Sequence, residues 1–203
     1  MNKLLLFILF LAQATFIKAQ CFDPLTSPAA TSWQLIGFST MEQGWLIGEG
    51  GQVWRTANSG ITWQSQDPRT QVGLNDLSAV DGDRAWLVGD RGIIRQTNDG
   101  GNTWRQQFSP LGGNWETVAF ANAQQGLVAG ECGGLMWTNN GGDSWQLANM
   151  NTAVTIHALV WVNDQIALAA GENGFLARST NAGVNWVQVG GLGSSDHRVL
   201  AAN

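Results

Sequence analysis

The 203-residue chain carries ten lysines and arginines against fifteen acids, and both lysines, Lys3 and Lys18, fall within its first nineteen residues. The residues beyond them hold eight arginines against the same fifteen acids, a formal charge of −7, which repels phosphate backbones and excludes nucleic acid as an expected partner; an anionic membrane surface is disfavoured for the same reason. Glycine (26) and tryptophan (11) are abundant, tyrosine is absent and 12% of residues are charged, a composition that suits short strands joined by glycine turns rather than long helices.

The chain opens with the basic Met1-Asn2-Lys3, an apolar run from Leu4 to Leu11, and Ile17-Lys18-Ala19-Gln20. This is the layout of a secretory signal peptide over residues 1–19, with an apolar core too short to anchor in a bilayer, so no stable membrane span is expected once it is removed. Cys21 invites a lipid anchor, but Gln20 stands where lipoprotein processing wants a small residue, so soluble export is the expectation: secreted, periplasmic or cell-surface. Residues 20–32 read as a linker. Cys21 and Cys132 are the only cysteines; a disulfide between them and two unpaired thiols remain open alternatives.

From residue 33 to 203 the sequence repeats. Thr56-Ala-Asn-Ser-Gly-Ile-Thr-Trp63, Thr97-Asn-Asp-Gly-Gly-Asn-Thr-Trp104, Thr138-Asn-Asn-Gly-Gly-Asp-Ser-Trp145 and Ser179-Thr-Asn-Ala-Gly-Val-Asn-Trp186 align without a gap at a period of 41 residues. Gly48, Gly89, Gly130 and Gly171 keep that interval, as do the apolar Ile36, Leu77, Val118 and Leu159. In the second repeat, strands are predicted at 75–80, 85–89, 93–97 and 103–107, with turns at Asp81-Gly82-Asp83, Asp90-Arg91-Gly92 and Asn98 to Asn102. Tandem four-stranded units of about 40 residues mark a β-propeller, an all-β fold of antiparallel blades. Leu200 continues the column after Leu159, so 198–203 reads as the start of a fifth repeat. Four blades leave apolar end faces to be covered. An incomplete piece of a larger ring is the favoured reading. A small four-bladed ring and association with a second copy are the alternatives.

The four aligned stretches fit Ser/Thr-x-Asp/Asn-x-Gly-x-x-Trp, and so resemble the Asp-box, or BNR repeat, of sialidases, sortilin-like receptors and glycan-active propellers. In each, the Asp or Asn (Asn58, Asp99, Asn140, Asn181) accepts turn N–H groups, the glycine (Gly60, Gly101, Gly142, Gly183) takes a conformation costly for other residues, and the tryptophan (Trp63, Trp104, Trp145, Trp186) packs between blades. The box is structural, and where it occurs it lies away from the catalytic face. The segment from Ala85 through Gly-Asp-Arg-Gly-Ile-Ile-Arg-Gln-Thr-Asn-Asp-Gly-Gly-Asn-Thr-Trp104 makes the region from about Trp33 onward similar to the photosystem II stability/assembly factor family. That resemblance implies propeller blades, in a larger ring of about seven, and a non-enzymatic role in assembling other proteins. Photosynthetic members rely on an arginine-rich surface, whereas Met136 and Ala177 here replace Arg95 in later repeats.

The clearest candidate for binding is the acid after each periodic glycine: Glu49, Asp90, Glu131 and Glu172, in the turn between second and third strands. Strand alternation places these turns at the blade end that also carries the inter-blade connections. Four carboxylates there suit a cation or a basic partner, while Gly-Asp/Glu-x-Gly is equally good hairpin chemistry copied by duplication. No catalytic residue, metal site or cofactor is expected. Identical acids in every blade suit a symmetric surface better than an acid/base pair, and the absence of tyrosine removes the sialidase nucleophile. His157 and His197 stand in no metal-ligand cluster, and Trp45, Trp54, Trp115, Trp137 and Trp161 fall in strand positions that suit the core. The expected function is an exported, non-enzymatic scaffold binding a protein; the alternative is a carbohydrate-active or glycan-binding propeller.

Overall fold

A computed structural model describes residues 32–189. The expected signal peptide, Cys21, His197 and the fifth-repeat start lie outside these residues, as does the linker apart from its last residue. The described chain forms four four-stranded antiparallel sheets, each in simple up-and-down order. The first comprises β1 (Trp33–Phe38), β2 (Gly44–Gly48), β3 (Gln52–Thr56) and β4 (Gln64–Gln66). The second comprises β5 (Leu74–Ala79), β6 (Ala85–Gly89), β7 (Ile94–Thr97) and β8 (Arg105–Gln106). The third comprises β9 (Trp115–Phe120), β10 (Gly126–Gly130), β11 (Leu135–Thr138) and β12 (Gln146–Leu147), and the fourth β13 (Ile156–Trp161), β14 (Ala167–Gly171), β15 (Leu176–Ser179) and β16 (Val187–Gln188). First strands touch in series, β1 with β5, β5 with β9 and β9 with β13, so the sheets stand as successive blades with their first strands innermost.

The predicted strands of the second repeat agree with β5 to β8 except that the fourth is shorter. The box turn takes Thr103 out of the strand, because its N–H donates to Asp99 Oδ1 at 2.9 Å. The periodic glycine has a steric origin. A Cβ added at Gly89, Gly130 or Gly171 would lie 2.0, 2.1 and 2.2 Å from the carbonyl oxygens of Gly73, Asn114 and Thr155. Those same carbonyls accept the N–H of the following acid, from Asp90 at 2.9 Å, Glu131 at 3.2 Å and Glu172 at 3.0 Å. The bond draws the start of each first strand against the second, at an irregularity in register.

Each box is a closed hydrogen-bond circuit. Thr97 Oγ1 accepts the N–H of Gly101 at 2.8 Å and donates to Asp99 Oδ1 at 2.8 Å. Asn140 Oδ1 and Asn181 Oδ1 accept from the N–H of Ser144 and Asn185 at 3.0 and 2.9 Å, and Asn58 Oδ1 from that of Thr62 at 2.9 Å. Asp99 alone is ionisable among the four, and its bonds from Thr103 and Thr97 hold its carboxyl below the ordinary aspartate range.

The boxes also join the blades. Gly101 faces Trp45 of the first blade and Gly183 faces Leu127 of the third, while the Gly141 carbonyl accepts from Trp86 Nε1 of the second at 3.0 Å. Three apolar cores lie between neighbouring sheets. Trp45, Ile47 and Val53 meet Leu74, Leu87 and Trp104; Trp86, Val88 and Ile94 meet Trp115, Val118 and Trp145; Leu127 and Leu135 meet Ile156 and Leu159. The same apolar column therefore fares differently by position: Val118 is 4% and Leu159 8% exposed, but Ile36, on the outward face of the first blade, is 60% exposed.

This geometry predicts unequal costs for one substitution. Gly101→Ala places a Cβ 2.8 Å from Trp45 at a φ of +86°, and should cost about 2–5 kcal/mol as the sum of backbone strain and overpacking. Gly60→Ala has the same strain at φ +84° but nothing closer than 3.7 Å, and should cost about 1–2 kcal/mol; urea midpoints of the two variants test the difference.

Candidate functional site

The acidic turns are two-residue hairpin turns. Arg91, Cys132 and Asn173 have φ of 58°, 54° and 54°, and the glycines after them, Gly92, Gly133 and Gly174, have φ of 72°, 70° and 71°. Two successive residues at positive φ are what a type I′ turn requires, closed here by N–H donation from Ile93 to Asp90 O, Gly134 to Glu131 O and Phe175 to Glu172 O at 3.2, 2.9 and 3.0 Å. The first blade uses Gly50 and Gly51.

The inter-blade connections pack on these turns. Gly51 sits against the carbonyls of Thr70 and Val72, Gly92 near those of Leu111 and Gly113, and Gly133 against that of Thr152. Arg91 N–H donates to Asn114 Oδ1 at 3.0 Å. Turns and connections thus share one end of the blades, with the boxes at the other.

The acids are engaged with their own blades. Asp90 Oδ1 accepts from Asn75 Nδ2 at 3.3 Å, and that amide also donates to the Trp115 carbonyl of the next blade at 2.9 Å. Glu131 accepts from Asn114 Nδ2 at 3.0 Å and from its N–H at 3.3 Å, and Glu172 Oε2 from the Thr155 N–H at 3.2 Å. Glu49 is exposed and donates its own N–H to Ser32 O at 3.0 Å. The side chains of Asp90, Glu131 and Glu172 therefore pin the turn to the entry of the first strand. Among the described residues no group of three or more His, Cys, Asp or Glu is placed to hold a metal ion.

Two acidic arrangements were not singled out by the repeat. His157 Nδ1 lies 3.9 Å from Glu116 Oε2, and its Nε2 3.9 Å from Glu172 Oε1, with the imidazole 11% exposed. Glu116 and His157 are one period apart, so the alignment columns carried the signal that they stand side by side on neighbouring inner strands. Asp76 bridges the second and third blades. It accepts from the Val118 N–H at 2.8 Å, from the Thr117 hydroxyl at 2.9 Å and from the Leu77 N–H at 2.8 Å. Burial raises its carboxyl above the ordinary range, opposed by the Val118, Leu77 and Thr117 bonds. It is an acid with no counterpart in the other repeats, where Leu35, Thr117 and Ala158 stand, but its oxygens are used as structural acceptors.

Four antiparallel sheets in series, each with a box between its third and fourth strands, define an Asp-box β-propeller. The family model for photosynthesis system II assembly factor YCF48 matches residues 17–109, and the chain resembles that family. A solved YCF48 bound to D1 peptide is 22% identical, with a TM-score of 0.64 over 79% of this chain and 55% of that one. YCF48 from Cyanidioschyzon merolae is also 22% identical, at 0.62 over 79% and 57%. A GH74 enzyme of Niastella koreensis shares the fold at 18% identity, 0.66 over 79% and 30%. The chain spans little more than half the length of the YCF48 structures. No curated protein matches the sequence.

Two measurements follow from the turn and bridge geometry. Cys132→Asn, which copies Asn173 of the fourth blade at a φ of 54°, should raise stability by about 0.5–1 kcal/mol in chemical denaturation. Asp76→Ala strands the Val118 N–H and the Thr117 hydroxyl and should cost about 1–3 kcal/mol. Because the folded carboxyl titrates above its unfolded value, the contribution of Asp76 is full below about pH 4 and shrinks as pH rises through the folded value, so the loss should be largest at acid pH.

Proposed function

We propose that the protein is an exported, non-enzymatic assembly propeller that binds a cationic segment of another protein at the blade end carrying the connections and acidic turns. The observation that supports this most is the likeness of the four-blade arc to YCF48, one structure of which holds a D1 peptide. The layout of residues 1–19 supports export. The partner chemistry is read from this chain's own charge: Asp90, Glu116, Glu131 and Glu172 gather at one end of a chain with eight arginines and fifteen acids. A face of that sign steers basic segments toward it and repels acidic ones. Met136 and Ala177 stand in the column of Arg95, which thins the basic surface that the family resemblance implies and favours a cationic partner.

A glycan-active reading draws on the GH74 likeness, which at 18% identity extends to the fold alone. Hydrolysis needs two carboxylates set across a sugar, one held protonated. The bonds from blade backbone and asparagine to Asp90, Glu131 and Glu172 favour the turn-pinning role instead. One experiment separates the readings. Secreted material, whose N-terminus should begin at Gln20, is titrated against a labelled arginine-rich peptide and a xyloglucan oligosaccharide. Salt-sensitive peptide binding is expected, weakened up to about fivefold by each of Glu131→Gln and Glu172→Gln. Oligosaccharide hydrolysis that disappears with either substitution would replace the scaffold with an enzyme.

A further inference from the structure

The two ends of the blade series carry opposite halves of an interface that the molecule already builds three times. On the trailing side of each blade, one column of the second strand reads Trp45, Trp86, Leu127 and Leu168, and one column of the third reads Val53, Ile94, Leu135 and Leu176. The first three members of each column are buried against the next blade. Leu168 and Leu176 of the last blade repeat Leu127 and Leu135 residue for residue, yet are only partly buried because no described blade follows. Arg178 is the counterpart of a third trailing position in which Arg55 reaches the next blade and donates to the Gly82 carbonyl at 3.0 Å.

The leading side of the first blade is the complementary half. Ile36 and Phe38, 60% and 48% exposed, stand where Leu159 and Trp161 of the fourth blade pack against the third. Trp63 is half-buried, as Trp186 is, where Trp104 and Trp145 are covered. A Cβ at Gly60 would meet only Trp63 and Phe38 of its own blade, at 3.7 Å or more, where one at Gly183 would meet Leu127 of the preceding blade at 2.3 Å. Met41, 91% exposed, occupies the position of Gly82, the residue whose carbonyl Arg55 reaches from the preceding blade.

We propose that a second copy of this chain covers both open faces. The fourth blade of each copy packs on the first blade of the other, with Leu168 under the Gly60 box and Arg178 toward the Met41 carbonyl. Three features favour this occupant. The contact reuses complementary surfaces of known fit. Two copies of a four-sheet arc supply eight blades, within the range of about four to eight in which propellers close. A two-fold axis along the ring then covers the leading and trailing faces of both described arcs, which an open heterologous chain would not.

The full chain is examined by sedimentation from low to high micromolar concentration, where it should sediment at twice the single-chain mass. Ile36→Glu on the leading face and Leu168→Glu on the trailing face should each give single copies with unchanged far-ultraviolet spectra. An equimolar mixture of the two variants should regain a two-copy species, because the fourth blade of the Ile36→Glu chain and the first blade of the Leu168→Glu chain are both intact. Hydroxyl-radical labelling of the unsubstituted protein keeps the test open if a variant fails to fold: Met41 and Phe38 should become protected as concentration rises. Single copies of the unsubstituted chain at every concentration, labelling of Met41 and Phe38 independent of concentration, a two-copy mass retained by both variants, or a folded mixture that stays single would each overturn the proposal.

Discussion

Everything in this structure depends on one contact: from the second blade onward, the box turn seats on the trailing face of the blade before it. A four-stranded sheet here is apolar on both faces, so a blade alone leaves half its hydrophobic surface in water. The turn solves this with a glycine at positive φ whose N–H donates to a Ser or Thr hydroxyl, itself donating to the box Asp or Asn, which brings backbone close to Trp45, Trp86 and Leu127. The hydrogen-bond circuit and the tryptophan that follows it then share one rigid unit, and inter-blade packing needs little further ordering.

The second constraint lies at the inner edge. The first strand of a blade has neighbours within its sheet on one side only, and its other edge would expose unpaired N–H groups. Between the second and third blades this edge is filled by side chains: Asp76 takes the Val118 N–H and Ser78 Oγ the Phe120 N–H at 3.0 Å. Between the third and fourth, Trp161 Nε1 donates to the Ala119 carbonyl at 3.1 Å. The repeat is therefore uniform at its box end and individual along its inner strands.

Much of the fold was legible because duplication copied backbone requirements along with the residues that meet them. The box answers hydrogen-bond demands met within a few residues of its own position, and the glycine before each acid answers the close approach of the first strand, at Gly73, Asn114 and Thr155 of the same repeat. The candidate acids were legible as a column, but not in their bonding. Only the approach of the first strand brings Asn75 to Asp90 and Asn114 to Glu131, fifteen and seventeen residues apart in the chain. Glu116 and His157 were harder to see, because one repeat carries an acid and the next a base where earlier repeats carry Gln34 and Asn75.

The order of residues by itself determined the all-β class, the blade length, the turn chemistry and the acidic balance, since these follow from backbone preferences and formal charge that need no partner. Tertiary packing alone decided which copies of a repeated residue are buried. Ile36 and Val118 are equivalent in the repeat, but among the described residues only Val118 has a blade in front of it, and burial depends on the neighbour across the gap rather than on the residue itself.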